Sequence, residues 1–243
     1  MRKLETKYEQ LPDISIAYTE HGEGPVLILL HGNSESKKLF RKYQTEYFKD
    51  FHTFALDSRG HGESVSNDLA YSIPQYARDV AEFCRKQGLA GAHVLGFSDG
   101  ANIVLALAKE APDLFDRMIA VSPNYLAEGT VDKWLTTFRR MRAFFAFMTR
   151  IGIDMRKPML RFDLMLTDIG LSRGDLEAIR KPLLILYADK DMIKEEHILD
   201  IHARVRDSKL VKIPGCTHLS ILQKSAAIRK MHSYLAGEGA KTS

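Results

Sequence analysis

Serine 98 stands at the centre of the pentapeptide Gly96, Phe97, Ser98, Asp99, Gly100, between an apolar extended run over 92–95 and a helix-like run over 101–109. A G-x-S-x-G segment in that setting is a nucleophile elbow, a sharp strand-to-helix turn that pushes the serine hydroxyl outward. The amide of Asp99, at the start of the following helix, is then placed to receive an oxyanion. A serine hydroxyl is a weak nucleophile near neutral pH, so acyl chemistry also needs a histidine to take its proton and a carboxylate to orient that histidine. The chain supplies both after Ser98: an apolar run over 183–188 leads into Asp189, Lys190 and Asp191, and a second run over 209–213 is followed by Gly215, Cys216, Thr217 and His218. On spacing alone either aspartate can be the orienting acid.

These groups need elements that bring them to one place. Period reading predicts strands over 3–10, 14–20, 26–30, 53–56, 92–97, 117–122, 183–188 and 209–213, and helices near 37–49, 74–88, 100–111, 195–205 and 219–236. VLILL at 26–30 and LLILY at 183–187 are continuous apolar runs, the pattern of strands covered by helices on both faces. The fold class expected is therefore α/β, with a mostly parallel, doubly wound sheet of about eight strands. The first two strands leave no room for a crossover helix and are expected to form an antiparallel hairpin at one edge. Serine, acids and histidine all fall just beyond the carboxyl ends of strands, where open α/β sheets bind ligands.

The rhythm breaks over 124–173, where Phe, Met and Leu alternate with arginines. This stretch is expected to be a helical insertion forming a cap over the site, with Phe138 and Phe145 as candidate pocket side chains. The domain division is then 1–123 with 174–243 as core, and 124–173 as cap. The seven residues 237–243 are expected to fray.

Composition narrows the rest. With 243 residues, 35 Lys and Arg against 31 Asp and Glu, and 45% apolar residues, nothing calls for a nucleic-acid partner. The charged N-terminus lacks the apolar core of a signal peptide, and no run reaches membrane-span length, so the expectation is a cytoplasmic protein with no membrane partner. Cys84 and Cys216 are too few for a disulfide framework, although one disulfide stays open. There is no C-x-x-C, H-E-x-x-H or His/Cys cluster, so no metal is expected.

Five segments in order carry a resemblance: His31 and Gly32 after the third strand, D-S-R-G-H-G-E-S at 57–64, G-F-S-D-G at 96–100, Y-A-D-K-D at 187–191 and G-C-T-H at 215–218. Together they resemble the α/β-hydrolase superfamily over almost the whole chain, most nearly its small capped serine esterases. The resemblance implies a Ser98, His218, Asp191 triad, since the family's acid stands three residues after a small residue, here Ala188. Asp189 is the competitor. It further implies an oxyanion hole from the backbone N–H groups of Asn33 and Asp99, a bracing role for His31, and a structural turn around Asp57, Arg59 and His61. Haloalkane dehalogenases and epoxide hydrolases of this fold carry Asp where Ser98 stands, so Ser98 implies an acyl-enzyme.

The reaction expected is hydrolysis of a small-molecule ester, thioester, lactone or activated amide, without a cofactor. A carbon–carbon hydrolase of a diketone-like acid and a ligand-binding protein on the same fold are the alternatives, and the oligomeric state is open. The Asp99 side chain is read two ways: as a brace of the elbow helix, or as a pocket group facing a substrate amine.

Overall fold

The computed structural model describes residues 4–237. The first residue of the strand expected from position 3, and the tail beyond 237, lie outside the described residues. Among the described residues nine strands form one sheet: β1 (Lys7–Gln10), β2 (Ile14–His21), β3 (Val26–Leu30), β4 (His52–Leu56), β5 (Val65–Ser66), β6 (Ala92–Phe97), β7 (Phe115–Val121), β8 (Leu183–Lys190) and β9 (Ser208–Thr217). Their order is β1-β2-β4-β3-β6-β7-β8-β9, with the short β5 on β2. β1 pairs antiparallel with β2, and β2 antiparallel with β4; every pair from β4 through β9 is parallel. The expected edge hairpin is present.

Parallel strands buried on both faces explain the continuous apolar runs. Ile28 and Leu30 of β3 join one buried cluster with α1 (Ile73–Lys86), α2 (Asp99–Glu110) and, later in the chain, α6 (Glu195–Arg204). Leu27 and Leu29 join the other, with Phe40, Tyr43 and α7 (Ser225–Leu235). A strand facing helices on both sides has no solvent face to mark with polar residues. The sheet is thus doubly wound, as an α/β-hydrolase fold requires.

Local chemistry sets the helix starts. Ser72 accepts from the Gln75 amide at 3.3 Å with Pro74 in the first turn, which opens α1. The stretch read as one helix over 37–49 is helical over 37–47 but irregular, tight at Lys37–Phe40 and widened to a π turn at Tyr43–Tyr47. The Lys37 amide, which a helix start leaves without an intrahelical acceptor, donates to Asp57 Oδ1 at 2.6 Å, and the buried Gln44 side chain is engaged by Thr19 and Thr53.

After β7 come α3 (Asp132–Arg150) and α4 (Arg156–Met165), which pack on each other; a capping box at Ser172 and Asp175 then opens α5 (Arg173–Ala178). Cys84 and Cys216 are both buried free thiols.

Candidate active site

The elbow is built by steric necessity. Ser98 has φ +55° and ψ −118°, a region costly for a residue with a side chain. It persists because both neighbours are forced close: a Cβ on Gly96 would lie 2.0 Å from Gly100 O, and one on Gly100 would lie 2.1 Å from Leu30 O. The Ser98 amide is held by Val121 O of β7 at 2.9 Å, and Ser98 O accepts from Ala101 and Asn102 to start α2. Asp99 is the first helical residue, so its amide has no intrahelical acceptor.

Ser98 Oγ lies 3.0 Å from His218 Nε2, and His218 Nδ1 lies 2.6 Å from Asp191 Oδ1. An ionised carboxylate only accepts, so it assigns the ring proton to Nδ1 and leaves Nε2 free to accept from Ser98. His218 and Asp191 are both buried side chains. Burial pushes the Asp191 carboxyl up, but hydrogen bonds from His218, Ser122 Oγ (2.6 Å) and the Ala188 amide (3.0 Å) outweigh it and hold Asp191 below the ordinary carboxylate range. The sequence left Asp189 as a competitor. It is turned to the Gly215 and Cys216 amides, both at 2.9 Å, and braces the loop that carries His218.

The loop after β3 faces the elbow. A Cβ on Gly32 would sit 3.1 Å from Ser98 Cβ and 2.9 Å from Glu35 Oε2, so the Glu35 carboxylate flanks Gly32 beside Ser98. That carboxylate accepts from the Gly32 amide at 3.0 Å; burial raises its pKa, and the neighbouring Asp99 adds to the rise. Asn33 Nδ2 donates to Asp99 Oδ2 and to Arg161 O of α4, each at 2.8 Å. The Asp99 side chain therefore braces the elbow helix against this loop. Its burial pushes its carboxyl up to about 6, against the hydrogen bond from Asn33 and the nearby His218.

His31 is fixed as a brace: its Nδ1 donates to Gly32 O at 2.7 Å and its Nε2 accepts from the Ser58 amide at 3.1 Å. The 57–64 segment is held by Asp57, which accepts from Lys37 Nζ (2.6 Å) and the Glu63 amide (2.8 Å), and by Arg59, which forks onto Asp79 at 2.9 and 2.8 Å. Gly60 O of the same segment accepts from Arg161 Nε at 3.2 Å, so α4 is tied to both loops around Ser98. Phe138 and Phe145 of α3 both pack on Phe162 of α4, with ring centroids 5.9 and 5.5 Å apart.

Glu35 and Ser122 escaped sequence reasoning. Ser122 has φ +56° and follows the last residue of β7, a position beside Asp191 that only the strand order reveals. Glu35 had a local signal, a carboxylate three residues beyond Gly32. Among the described residues no His, Cys, Asp and Glu group could hold a metal.

A parallel sheet with a serine elbow, an aspartate beyond β8 and a histidine beyond β9 has the layout of an α/β hydrolase. Residues 25–151 match the family described as alpha/beta hydrolase fold. The chain is 31% identical over 237 residues to 2-(acetamidomethylene)succinate hydrolase of Mesorhizobium japonicum, across 84% of this chain and 85% of that one. The chain belongs to the α/β-hydrolase family. Two solved structures share the fold at low identity. One is a hydrolase from Pseudomonas aeruginosa, with a TM-score of 0.76 at 20% identity over 96% of this chain and 98% of that one. The other is the enol-lactonase from Burkholderia xenovorans, with a TM-score of 0.76 at 18% identity over 95% of this chain and 100% of that one.

Proposed function

We propose that this chain is a serine hydrolase that cleaves a small-molecule carboxylic ester, or an equally activated acyl group, through an acyl-enzyme on Ser98. The observation that carries the reading is the unbroken hydrogen-bonded line from Asp191 through His218 to Ser98. His218 takes the Ser98 proton as Oγ attacks the acyl carbonyl, and Asp191 stabilises the imidazolium. The Asn33 and Asp99 amides receive the tetrahedral oxyanion. His218 protonates the departing alcohol, then activates the water that frees the acid. The 124–173 segment serves as the cap, with Phe138 and Phe145 on its inner side.

The acyl group is neutral or carries an amine. Glu35 and Asp99 place two carboxyl groups on the nucleophile's side of the site, against the one guanidinium of Arg161, whose bond to the neutral Gly60 O leaves its charge intact. A substrate with carboxylates beside the reacting carbon, as in the succinate that names the Mesorhizobium relative, meets like charge there.

The test is a p-nitrophenyl ester series with fluorophosphonate labelling. Ser98→Ala loses labelling and drops kcat on the order of 10⁶-fold, the size seen for a triad nucleophile on another fold. Asp191→Asn drops kcat on the order of 10⁴-fold, whereas Asp189→Asn keeps most turnover. Retention of activity in Ser98→Ala, or the reverse ranking of the aspartates, overturns the assignment.

A further inference from the structure

The net positive charge of this protein comes from one segment. Residues 132–165 hold eight Lys and Arg against three Asp, a net of +5, whereas the whole chain, at 35 against 31, nets +4; the remaining residues therefore net −1. The same segment carries five of the ten large apolar side chains that are exposed among the described residues: Met141, Phe144, Phe147, Ile151 and Ile153. Phe147 and Ile151 are more than half exposed, at 57% and 56%. Single exposed apolar residues are ordinary on a protein surface, but a contiguous set is an interaction surface.

The set is contiguous by helical geometry. Met141, Phe144, Phe147 and Ile151 recur at intervals of three, three and four, which aligns them along one stripe of α3 and the turn after it. The opposite stripe is already used, since Leu135 and Phe138 are buried and Phe145 packs on Phe162 of α4. Arg140 falls within the outer stripe, Arg150 borders it, and Arg139 lies about 80° round the helix from its edge. All three are exposed and make no ion pair among the described residues. An apolar stripe edged by unpaired guanidinium groups is the surface of a helix that lies in a lipid interface, rings in the acyl boundary and cations at the headgroups.

We propose that the outer face of α3, with the turn through Ile153, seats on an anionic lipid surface. The charge is complementary to acidic headgroups, and no helix of the described residues is long and apolar enough to cross a membrane, so the helix lies on the surface. A second copy of the chain fits less well, because a two-fold contact sets the same patch against itself and brings Arg139, Arg140 and Arg150 of both copies together. The expectation of no membrane partner rested on the lack of a spanning run, a criterion blind to an interfacial helix.

The experiment is sedimentation of the full chain with vesicles of phosphatidylcholine alone and of phosphatidylcholine with about one-third phosphatidylglycerol, each at low and high salt. The protein partitions to the anionic vesicles and is released by salt. Arg139→Gln, Arg140→Gln and Arg150→Gln combined weaken partition about 100-fold, at roughly fivefold per lost cation. Phe144→Ser with Phe147→Ser also weakens it. Both variants keep the wild-type circular dichroism and melting curve, since every altered side chain is exposed. Equal partition to neutral vesicles, binding that survives either set of substitutions, or a concentration-dependent dimer dissolved by Phe144→Ser and Phe147→Ser overturns the proposal.

Discussion

Asp99 is the residue at which stability and chemistry pull apart. Its carboxyl is buried and titrates at about 6 rather than 3.8, with burial as the main cause. A raised acid pKa means the folded state holds its proton more tightly than the unfolded chain, so stability falls as pH rises from about 4 to 6 and stays reduced above that window. The shift corresponds to about 3 kcal/mol at neutral pH. Asp99→Asn removes the buried charge while its amide oxygen still accepts from Asn33 Nδ2. This variant is expected to unfold at higher urea than wild type at pH 8, with the gain shrinking toward pH 4. It also narrows the preference for a neutral acyl ester over a hemisuccinate ester, read as the ratio of kcat/KM values. A variant no more stable than wild type at pH 8, or an unchanged ratio, removes the charge from both roles.

At the scale of elements, the elbow stores strain that the sheet and α2 hold in place. Ser98→Ala keeps a Cβ in the +55° conformation, whereas Ser98→Gly releases it, so the glycine variant is expected to exceed the alanine variant in stability by about 1 kcal/mol, read as the difference between their denaturation midpoints. Equal midpoints mean that Ser98 is unstrained. Most of the elements around the elbow were legible in the sequence, because continuous apolar runs such as 26–30 and 183–187 have one physical explanation, burial on both faces. Chain order likewise made the positions of Ser98 and His218 readable, whereas Asp191 was set apart from Asp189 only by the family resemblance. The tight first turn and wide last turn of the 37–47 helix were not readable, and the partners of its buried Lys37 and Gln44 lie far off in sequence, at Asp57 and at Thr19 and Thr53 of neighbouring strands. Ser122 and Glu35 were missed for a related reason: each acts across space, Ser122 on Asp191 of the adjacent strand and Glu35 through the Gly32 amide.

Across the whole molecule, the loops that end β3 and β4 are locked together by neutral histidines. His31 bridges Gly32 O and the Ser58 amide, and its ring lies 5.3 Å from that of His61. Burial lowers both pKa values, that of His61 to about 3, and His61 is further disfavoured as a cation by His31. A histidine depressed in the folded state costs nothing above pH 6.5, where both states are neutral; below it the unfolded chain takes up protons the folded one refuses, and stability falls until the folded pKa is reached. For His61 the loss is about 2 kcal/mol by pH 5. Asp99 and Glu35 run the other way over part of this range, since their raised values add stability as pH falls. The total pH dependence therefore mixes opposite signs, and the histidine contribution is isolated by difference. Urea denaturation of wild type and His61→Asn at pH 7 and pH 5 supplies it. His61→Asn is expected to be the less stable protein at pH 7, because it loses a buried ring and its bond to Arg59 O. Its deficit should shrink by about 2 kcal/mol at pH 5, where the wild-type ring has become a liability. A deficit that stays constant between the two pH values means that His61 is protonated as readily in the folded protein as in the unfolded chain, and that burial does not hold it neutral.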